Sequence, residues 1–385
     1  MSDRIYDVAV VGAGPAGSSC AQRLAEGGLD VALLDQKVPP RYKTCGGGLV
    51  WRARRMLEAD LTGSIEHECT VAELNLIDVG LSFRVEHRQP LVTMTMRAEL
   101  DHRLVEHART FGVELLAPRR VRGLERSSKH LRLETDDGPL LASYCVAADG
   151  AGSRTARAAG WEENENVIPA LESEVRVAPA EHRRFADRAQ FDFGLHRRGY
   201  AWVFPKRDHL SIGCLSRLRG WSALREDLDR YLSHLGLAEH GAREDHGFVI
   251  PIAPRSPELA RDRVLLIGDA AGLADPVSCE GISWAIESGR LAADAISRNL
   301  ANPAAVSATY GRLLEQELLG ELRTARRLAN WLYDRPRLRR IAFRRLGQSL
   351  CNAVGGVFLG ESSYRRLMRS PRTYWRLFGK VLGLA

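Results

Sequence analysis

The first 35 residues alternate between apolar runs and a helical pattern. The β-branched run IYDVAVV at residues 5–11 is typical of a buried parallel strand. It leads directly into GAGPAG, and the following SSCAQRLAEGG predicts a helix that ends at Gly27 and Gly28. A second apolar run, DVALLD, ends at Asp35. This order predicts a βαβ unit at the start of the chain.

The glycines of the turn have the spacing of a dinucleotide-binding motif. Gly12 permits the tight turn, Gly14 lets the backbone approach a pyrophosphate, and Gly17 lets the helix pack on the strand. The helix N-terminus offers free N–H groups to phosphates. Asp35 stands where a carboxylate can accept hydrogen bonds from ribose hydroxyls, which favours an unphosphorylated ribose. These residues predict FAD or NAD and do not choose between them.

Two later segments distinguish the dinucleotides. Residues 143–157 read as a strand followed by Asp149, and residues 262–290 read as a strand that ends at Gly268 and Asp269, followed by a loop and a helix. Together with the N-terminal glycines, these segments resemble the three fingerprints of class A FAD-dependent oxidoreductases with the p-hydroxybenzoate hydroxylase-like fold. The resemblance implies FAD as the cofactor.

The same resemblance implies which residues contact FAD. Asp269 matches the family's ligand of a ribityl hydroxyl, and the helix starting near Gly281 matches the one whose N-terminus faces the flavin pyrimidine edge. Arg97 precedes a Leu-Asp helix start, and Val121 matches a backbone contact to adenine. The expected cofactor-binding residues are Gly12, Gly14, Ala16, Gly17, Asp35, Gly46, Gly47, Arg97, Val121, Asp149, Gly268, Asp269 and Gly281.

Short alternating strands replace helical runs between residues 165 and 250, and residues 72–95 have a similar character. We therefore expect an α/β fold with a Rossmann-type FAD-binding domain, an inserted antiparallel β-sheet substrate domain and C-terminal helices. The expected FAD-binding domain comprises residues 1–70, 96–164 and 255–300. The substrate domain comprises 71–95 and 165–254, and the helical region comprises 301–385.

One predicted strand, YAWVFP, carries Tyr200, Trp202 and Phe204 at alternate positions. With LSIGC it predicts a hairpin around the turn KRDH, so the three rings share one face. Such a face can be ordinary core packing, or it can be the wall of a site for a large apolar substrate. A phenol and an indole N–H would help to orient that substrate.

YAWVFP resembles the Y-x-W-x-F-P signature of the geranylgeranyl reductase family, and KTCGGGL at residues 43–49 resembles that family's loop before the flavin. Glycines there let the chain pass close to a planar ring, and such a loop also suggests gating. The resemblance implies reduction of isolated C=C bonds in a polyprenyl (geranylgeranyl) chain by hydride from flavin N5. The expected catalytic residues are Cys45, Tyr200 and Trp202, and the substrate residues are Tyr200, Trp202 and Phe204.

Several alternatives stay open at this stage. Flavin halogenases carry a related W-x-W-x-I-P run, so a flavin monooxygenase or halogenase acting on an aromatic or other apolar substrate is the second hypothesis. An electron-transfer flavoprotein and a lipid-binding flavoprotein without activity are further ones. Cys45 is either a proton donor, a redox-active thiol or a small packing residue. Cys279 stands where the family usually has a small residue, often Gly, and a redox pair with Cys45 is open.

The composition limits the kinds of partner that we expect for this protein. The 385 residues include 55 Lys and Arg against 48 Asp and Glu, a net charge of +7, but the bases are dispersed and no nucleic-acid recognition motif accompanies them. An anionic membrane surface, a phosphorylated substrate and a merely solvated basic surface are all compatible with this charge. Seven cysteines without CxxC pairs favour a reducing compartment and no metal site. We expect a cytoplasmic protein with an external electron donor, NAD(P)H or ferredoxin, and no nucleic-acid partner.

The chain after Asn299 is helical and basic, with leucines and Ile341 at helical spacing between arginines. Its last part mixes Trp375, Phe378 and Leu382 with Arg and Lys. This pattern suits either an interfacial helix that binds the inner membrane face peripherally or a helical cap over the substrate channel. The cap is the favoured prediction, with membrane contact as an addition to it.

Overall fold

The computed structural model describes residues 4–195, 198–218, 220–239 and 241–369. The strands in these ranges, in chain order, are β1 (Ile5–Val11), β2 (Val31–Leu34), β3 (Gly48–Val50), β4 (Ile65–Cys69), β5 (Val71–Leu76), β6 (Leu81–Glu86), β7 (Val92–Thr95), β8 (Glu114–Leu116), β9 (Val121–Arg126), β10 (Leu131–Thr135), β11 (Leu140–Ala147), β12 (Val167–Val175), β13 (Arg188–Phe193), β14 (Gly199–Pro205), β15 (Leu210–Ser216), β16 (Arg243–Pro251), β17 (Ala260–Arg261) and β18 (Val264–Leu266).

The helices in the same ranges are α1 (Pro15–Glu26), α2 (Trp51–Arg54), α3 (Arg97–Thr110), α4 (Arg154–Ala158), α5 (Pro179–Arg183), α6 (Trp221–His234), α7 (Gly268–Ala271), α8 (Ile282–Asn299), α9 (Pro303–Leu314), α10 (Gly320–Asp334), α11 (Pro336–Leu359) and α12 (Tyr364–Arg369). The short turn Glu315–Leu319 between α9 and α10 is a π-helix.

The first sheet has eight strands and forms the Rossmann-like part of the molecule. Strands β18, β11, β1, β2 and β8 lie side by side in that order and are parallel. Strands β2 and β18 and most of β1 and β11 are apolar and buried because helices cover the sheet, with α1 and α8 packed together on it. The βαβ unit predicted from the sequence is confirmed, as is the fold class.

The second sheet has seven strands in the order β16-β12-β15-β14-β13-β5-β6. All its pairs are antiparallel except β13 with β5, and β14 and β15 form the predicted hairpin, with Pro205 opposite Leu210. The prediction that residues 72–95 join this sheet holds for β5 and β6. It is wrong for β7, which pairs with β3 and β4 in a third sheet. Pro90, which has no N–H to donate, separates β6 from β7.

The helices near the end of the described chain cover one face of the seven-stranded sheet. Tyr333 on α10 stacks on Phe193 at 6.3 Å between ring centroids, and Phe343 and Phe358 on α11 pack against Phe193 and Phe191 at 5.6 Å and 5.8 Å. These helices therefore form a cap over the aromatic face.

The interfacial part of the prediction, Trp375, Phe378 and Leu382, lies outside the described residues. Within the described ranges, no helix is both long and apolar enough to cross a bilayer. The domain boundaries predicted from the sequence stay a prediction.

Candidate active site

A cavity of about 580 Å³ runs from the carboxyl ends of the parallel strands to the face of the seven-stranded sheet. Gly12 follows β1 and Asp35 follows β2, so both lie at the edge where ligands bind in open α/β sheets. The same cavity is lined by Tyr200, Trp202 and Phe204 on β14. The glycine turn and the aromatic strand are more than 180 residues apart in the sequence and therefore line one space only in the folded chain.

Two glycines of the turn are required by close approach of the backbone. Gly12 has φ +111°, and a Cβ there would stand 2.4 Å from the Ala148 carbonyl oxygen. A Cβ on Gly17 would stand 1.8 Å from the Gly12 oxygen. Gly14 instead faces the cavity, where a Cβ would have the Arg97 guanidinium as its nearest neighbour at 3.7 Å. This packing agrees with the tight turn predicted for Gly12 and the close helix packing predicted for Gly17, while the role of Gly14 stays a prediction.

A chain of buried charges lies beside the turn. Arg41 donates to Asp35 at 2.8 Å and to Asp101 at 3.0 Å, and Arg97 donates to Asp101 at 2.8 Å. Asp35 also accepts the Ala13 N–H at 3.0 Å, so its carboxylate fixes the glycine turn. The two guanidinium groups are paired with the two carboxylates, so the N-terminus of α1, which opens on this end of the cavity without a side-chain cap, is the feature that favours an anionic group there.

The other residues expected to contact the cofactor fall into two kinds. Val121, Asp269 and Gly281 line the cavity, and α8 begins directly after Gly281. Asp149 lines it too, but Ser153 and Thr155 already donate hydrogen bonds to its carboxylate. By contrast, no described residue donates to the Asp269 carboxylate, and burial raises the pKa of Asp269 above its usual range.

The aromatic face is arranged in rows across the strands. Phe193, Tyr200 and Leu215 form one row and Phe191 and Trp202 the next, so alternation along β14 puts its rings on one side. The ring centroids of Tyr200 and Trp202 lie 6.1 Å apart, and those of Trp202 and Phe204 lie 6.2 Å apart. The opposite side of β14, with Ala201 and Val203, packs against α6, so the strand is buried on both faces.

Gly213 makes room for the central ring. It lies opposite Trp202 on β15, and a Cβ there would stand 2.1 Å from Trp202 Cζ2. The indole therefore lies flat over the neighbouring strand. Its Nε1 is buried, has no hydrogen-bond partner among the described residues, and faces Gly46.

The glycine-rich loop at residues 45–47 is held against this face by polar groups. The Cys45 N–H donates to Glu172 Oε2 at 2.9 Å, and Lys206 Nζ donates to the Gly46 oxygen at 2.7 Å and to the Thr95 oxygen at 2.9 Å. Thr95 donates its N–H to the Gly47 oxygen at 2.8 Å. Trp202 and Phe204 lie directly beneath Gly46, so these two rings support the loop as well as the cavity wall.

Glu172 and Lys206 are charged side chains in an apolar setting. Glu172 is 2% exposed and Lys206 is fully buried. Burial, reinforced by the charge of Glu174, raises the pKa of Glu172 to about 7, and burial lowers the pKa of Lys206. Lys43 also lines the cavity above the Phe248 ring, and burial lowers its pKa to about 8.

Tyr200 reaches a second loop of the cavity. Its hydroxyl donates to the Ser278 oxygen at 2.5 Å, and burial raises its pKa well above 10. The next residue, Cys279, has φ +58°, a conformation that favours glycine. Cys45 and Cys279 both line the cavity and are both free thiols, and burial raises the pKa of Cys279.

Comparison with known proteins agrees with this geometry. The family model of the FAD binding domain matches residues 5–214. Menaquinone reductase of Mycobacterium tuberculosis is 30% identical over 333 residues, which are 80% of this chain and 82% of that protein. Digeranylgeranylglycerophospholipid reductase of Methanopyrus kandleri is 32% identical over 322 residues, which are 75% of this chain and 80% of that protein. The chain belongs to the geranylgeranyl reductase family of FAD-dependent oxidoreductases.

A solved structure shows the same fold across nearly the whole chain. The geranylgeranyl bacteriochlorophyll reductase-like protein of Thermoplasma acidophilum superposes with a TM-score of 0.80 over 99% of this chain and 98% of that one, at 20% identity. The family cofactor is FAD, and the residues of this family member fit it. No described side chain caps the first turn of α1, which opens on the cavity, and Asp269 offers an acceptor without a donor.

Two of the residues that were predicted to bind the cofactor do not lie at the cavity surface. Gly17 and Gly268 lie behind it; a Cβ on Gly268, which has φ +54°, would stand 3.0 Å from the Ala16 Cβ. These two glycines let α1 and α8 approach the first sheet. The other residues expected to bind the cofactor or substrate line the cavity.

Sequence reasoning missed four charged residues of the site, which are Arg41, Asp101, Glu172 and Lys206. Lys206 directly follows YAWVFP and Asp101 belongs to the noted Leu-Asp helix start, so both had a local signal. Glu172 had a weaker local signal. In LESEV it alternates with apolar and small residues, a pattern that is typical of a residue on the solvent-exposed face of a strand.

Proposed function

We propose that this protein reduces isolated C=C bonds of a polyprenyl chain, with FAD as its cofactor. The observation that carries the proposal is the single cavity that joins the dinucleotide turn to a deep aromatic face. The names of two relatives support it: one is a reductase of a digeranylgeranyl lipid and the other a reductase of menaquinone.

An isolated trisubstituted alkene is a poor acceptor of hydride, so its reduction requires a proton as well. Protonation of the less substituted carbon places positive charge on the tertiary carbon. Reduced FAD supplies the hydride when it is bound. The site must therefore position an acid, exclude water and present surfaces that tolerate transient positive charge.

Cys45 is the better placed of the two predicted proton donors. Its thiol lines the cavity in a loop that Glu172 and Lys206 hold in position. The Tyr200 proton is already engaged with the Ser278 oxygen, and the raised pKa of Tyr200 makes its phenol a weak acid. Cys45 would give the proton, while the Tyr200 and Trp202 rings would face the positive charge.

The apolar chain would lie along the remaining wall of the cavity. Phe191, Leu215, Ile250 and Phe358 contribute this wall, and the capping helix α11 closes it through Phe358. Because these side chains offer no polar group, they favour a hydrocarbon chain over a polar substrate.

The test is anaerobic incubation of the FAD-loaded protein with dithionite and geranylgeranyl lipids, followed by mass spectrometry of the lipids. We expect gains of hydrogen pairs. Cys45→Ala should retain FAD, measured by its absorbance, and lose at least about a hundredfold in rate, since positioned acids contribute roughly 10²–10⁴-fold.

Unchanged lipid with a fully reduced, FAD-loaded protein would contradict the proposal. The monooxygenase hypothesis would then be examined in air with NAD(P)H and aromatic substrates. Full activity of Cys45→Ala would leave prenyl reduction standing and remove Cys45 from the proton step.

A further inference from the structure

The segment that leads into α8 forms a compact loop at the cavity, and Asp275 closes it. The Asp275 N–H donates to the Glu280 oxygen at 2.9 Å, and the Asp275 backbone oxygen accepts the Cys279 N–H at 2.8 Å. We call residues 275–281 the 275–281 loop. Residues 278–281 line the cavity, whereas Asp275 is fully buried behind them.

Two tyrosine hydroxyls reach this loop from the helices near the end of the described chain. Tyr333 on α10 donates to the Val277 oxygen, and Tyr364 on α12 donates to Asp275 Oδ2 at 2.9 Å. Both tyrosine side chains are buried. Helices α10 and α12 thus hold the loop by hydrogen bonds, in addition to the bond that it accepts from Tyr200 on β14.

The position of Tyr364 is itself fixed by the neighbouring helices. The Glu321 carboxylate on α10 accepts the Tyr364 N–H and, at 3.1 Å, the Arg365 N–H. These N–H groups belong to the first turn of α12, where a helix has no acceptors of its own. The Tyr364 ring forms a small apolar cluster with Ala325 on α10 and Val357 on α11. Its hydroxyl is therefore held at a defined place.

The Asp275 carboxylate uses one oxygen inside the loop and the other toward α12. Oδ1 accepts the Val277 N–H at 2.7 Å, and Oδ2 accepts the Tyr364 hydroxyl. A buried carboxylate is stable only when its oxygens find donors. Among the described residues, Tyr364 is the donor to Oδ2, so this hydrogen bond links the residue that closes the loop to the C-terminal helices.

The other end of the loop lies at the part of the cavity predicted to face the flavin. Helix α8 begins directly after Gly281, and a Cβ on Gly281 would stand 3.3 Å from Asp269 Oδ1. Cys279, between the two ends of the loop, has φ +58°. A loop this compact moves as a unit, so a shift at Asp275 would displace the N-terminus of α8 relative to Asp269.

We propose that Tyr364 is a positioning residue of the cofactor site, which acts through Asp275 on the 275–281 loop and so sets the place of the α8 N-terminus. Tyr364 does not line the cavity, so it acts without touching the cofactor. The C-terminal helices then contribute to the flavin site as well as covering the aromatic face. The proposal goes beyond the proposed function, because it concerns FAD and not the substrate.

Tyr364→Phe tests this link, because it removes the hydroxyl and keeps the ring in its apolar cluster. Dilution of the FAD-loaded protein, followed by the fluorescence of released FAD, gives the dissociation constant. It should rise roughly two- to thirtyfold, the usual range for a residue that acts on a site without touching the ligand. The visible spectrum and midpoint potential of the bound flavin should shift as well, because the α8 dipole is displaced. Wild-type values of all three quantities overturn the proposal.

Tyr144→Phe is the matched control for the loss of a buried hydroxyl. Tyr144 is fully buried, donates one hydrogen bond to the Leu300 oxygen at 2.7 Å, and lies outside the cavity lining. This variant should lose a similar amount of stability in urea but keep the dissociation constant of FAD and the flavin spectrum. Equal weakening of FAD binding in Tyr144→Phe and Tyr364→Phe would show an effect of general stability, which overturns the positioning role.

Two variants of Asp275 separate its position from its charge. Asp275→Asn keeps an oxygen for the Val277 N–H, and its amide N–H can donate to the Tyr364 hydroxyl oxygen, so the dissociation constant of FAD should stay within about twofold of the wild type. Asp275→Ala loses both hydrogen bonds and should weaken FAD binding at least as much as Tyr364→Phe. Equal weakening in Asp275→Asn and Asp275→Ala would overturn the proposal, because the charge would then be the cause.

These measurements remain decisive in two unfavourable cases. Where Asp275→Ala fails to fold, Tyr364→Phe and Asp275→Asn still give opposite expected results for FAD binding. None of the measurements uses a lipid, so absence of prenyl reduction by the wild type contradicts the proposed function alone, and the flavin readouts still decide the role of Tyr364.

Discussion

Gly213→Ala is expected to displace the central ring of the aromatic face. The added Cβ would stand 2.1 Å from Trp202 Cζ2, 2.5 Å from Cη2 and 2.6 Å from Cε2. Carbon atoms in contact prefer a separation of about 3.5–4.0 Å, so the indole must move by roughly 1.4 Å or more. Its movement away from β15 is limited by the loop, since Gly46 lies so close to the ring that even a Cβ added to it would stand 3.0 Å from Nε1.

The displacement therefore spreads to the loop that carries Cys45. Overpacking of a closed core costs about 1–3 kcal/mol, and here neither the backbone of β15 nor the loop can yield without losing hydrogen bonds. We expect the free energy of unfolding to fall by that amount in urea titrations, together with a changed Trp fluorescence spectrum. Loss of the loop position should also weaken FAD binding, measured by the fluorescence of released cofactor.

Gly123→Ala is the matched control, because Gly123 also lies in a strand and a Cβ there would stand an ordinary 3.6 Å from the Glu134 Cβ. Trp202→Phe removes the part of the ring that clashes, so the double variant with Gly213→Ala should recover part of the lost stability. Gly213→Ala with the stability and fluorescence of the wild type would refute the packing described for Trp202.

Three other changes have definite expected results. Gly17→Ala should abolish FAD binding and destabilise the fold, since its Cβ would stand 1.8 Å from the Gly12 oxygen; cofactor absorbance of the purified protein measures this. Cys279→Gly should leave the free energy of unfolding in urea unchanged or raise it by up to about 1 kcal/mol. Glycine relieves the strain of φ +58°, and this gain opposes the greater chain entropy that glycine loses on folding. A clear loss of stability would show instead that the thiol contributes well-packed contacts. The pKa of Lys43 is lowered from 10.5 to about 8, so the unfolded chain binds more protons between these values and stability gains from Lys43 as pH rises through them. Lys43→Met should remove that gain when urea titrations at pH 8 and pH 10 are compared, and an unchanged difference would contradict the buried position of the ammonium.

Much of the fold could be predicted because its signals are local. Gly12, Asp35, Asp149 and Gly268 each follow a parallel strand within two residues, and parallel strands end at one edge of a sheet. Once those strands are recognised, the glycines and carboxylates must come together. The alternation of Tyr200 with Ala201 and of Trp202 with Val203 likewise fixes which side chains share a face.

Glu172 could not be predicted as a residue of the site, because a strand pattern does not say what covers each face. In β12, Leu171 faces the cluster around α6 while Glu172 faces the cavity, and both are buried. Alternation of polar and apolar residues normally indicates a strand with one face exposed to solvent. Here the loop of Cys45, which lies 127 residues earlier in the chain, covers Glu172. This is a tertiary contact, so no pattern within β12 indicates it.

The buried charges explain why a glycine-rich loop is fixed on this cavity. An isolated charge in an apolar interior is costly, and Glu172 and Lys206 avoid that cost by bonding to the loop backbone at Cys45 and Gly46. Each hydrogen bond to a charged group contributes about 1.5–3 kcal/mol, so opening the loop would break these bonds and leave both side chains without loop partners. Because Lys206 also bonds to Thr95, whose N–H holds the Gly47 oxygen, the loop, β7 and the aromatic strand must move together or not at all. Glu172 on β12 and Lys206 just after β14 therefore oppose the flexibility that three glycines suggest, although both residues lie far from the loop in the sequence.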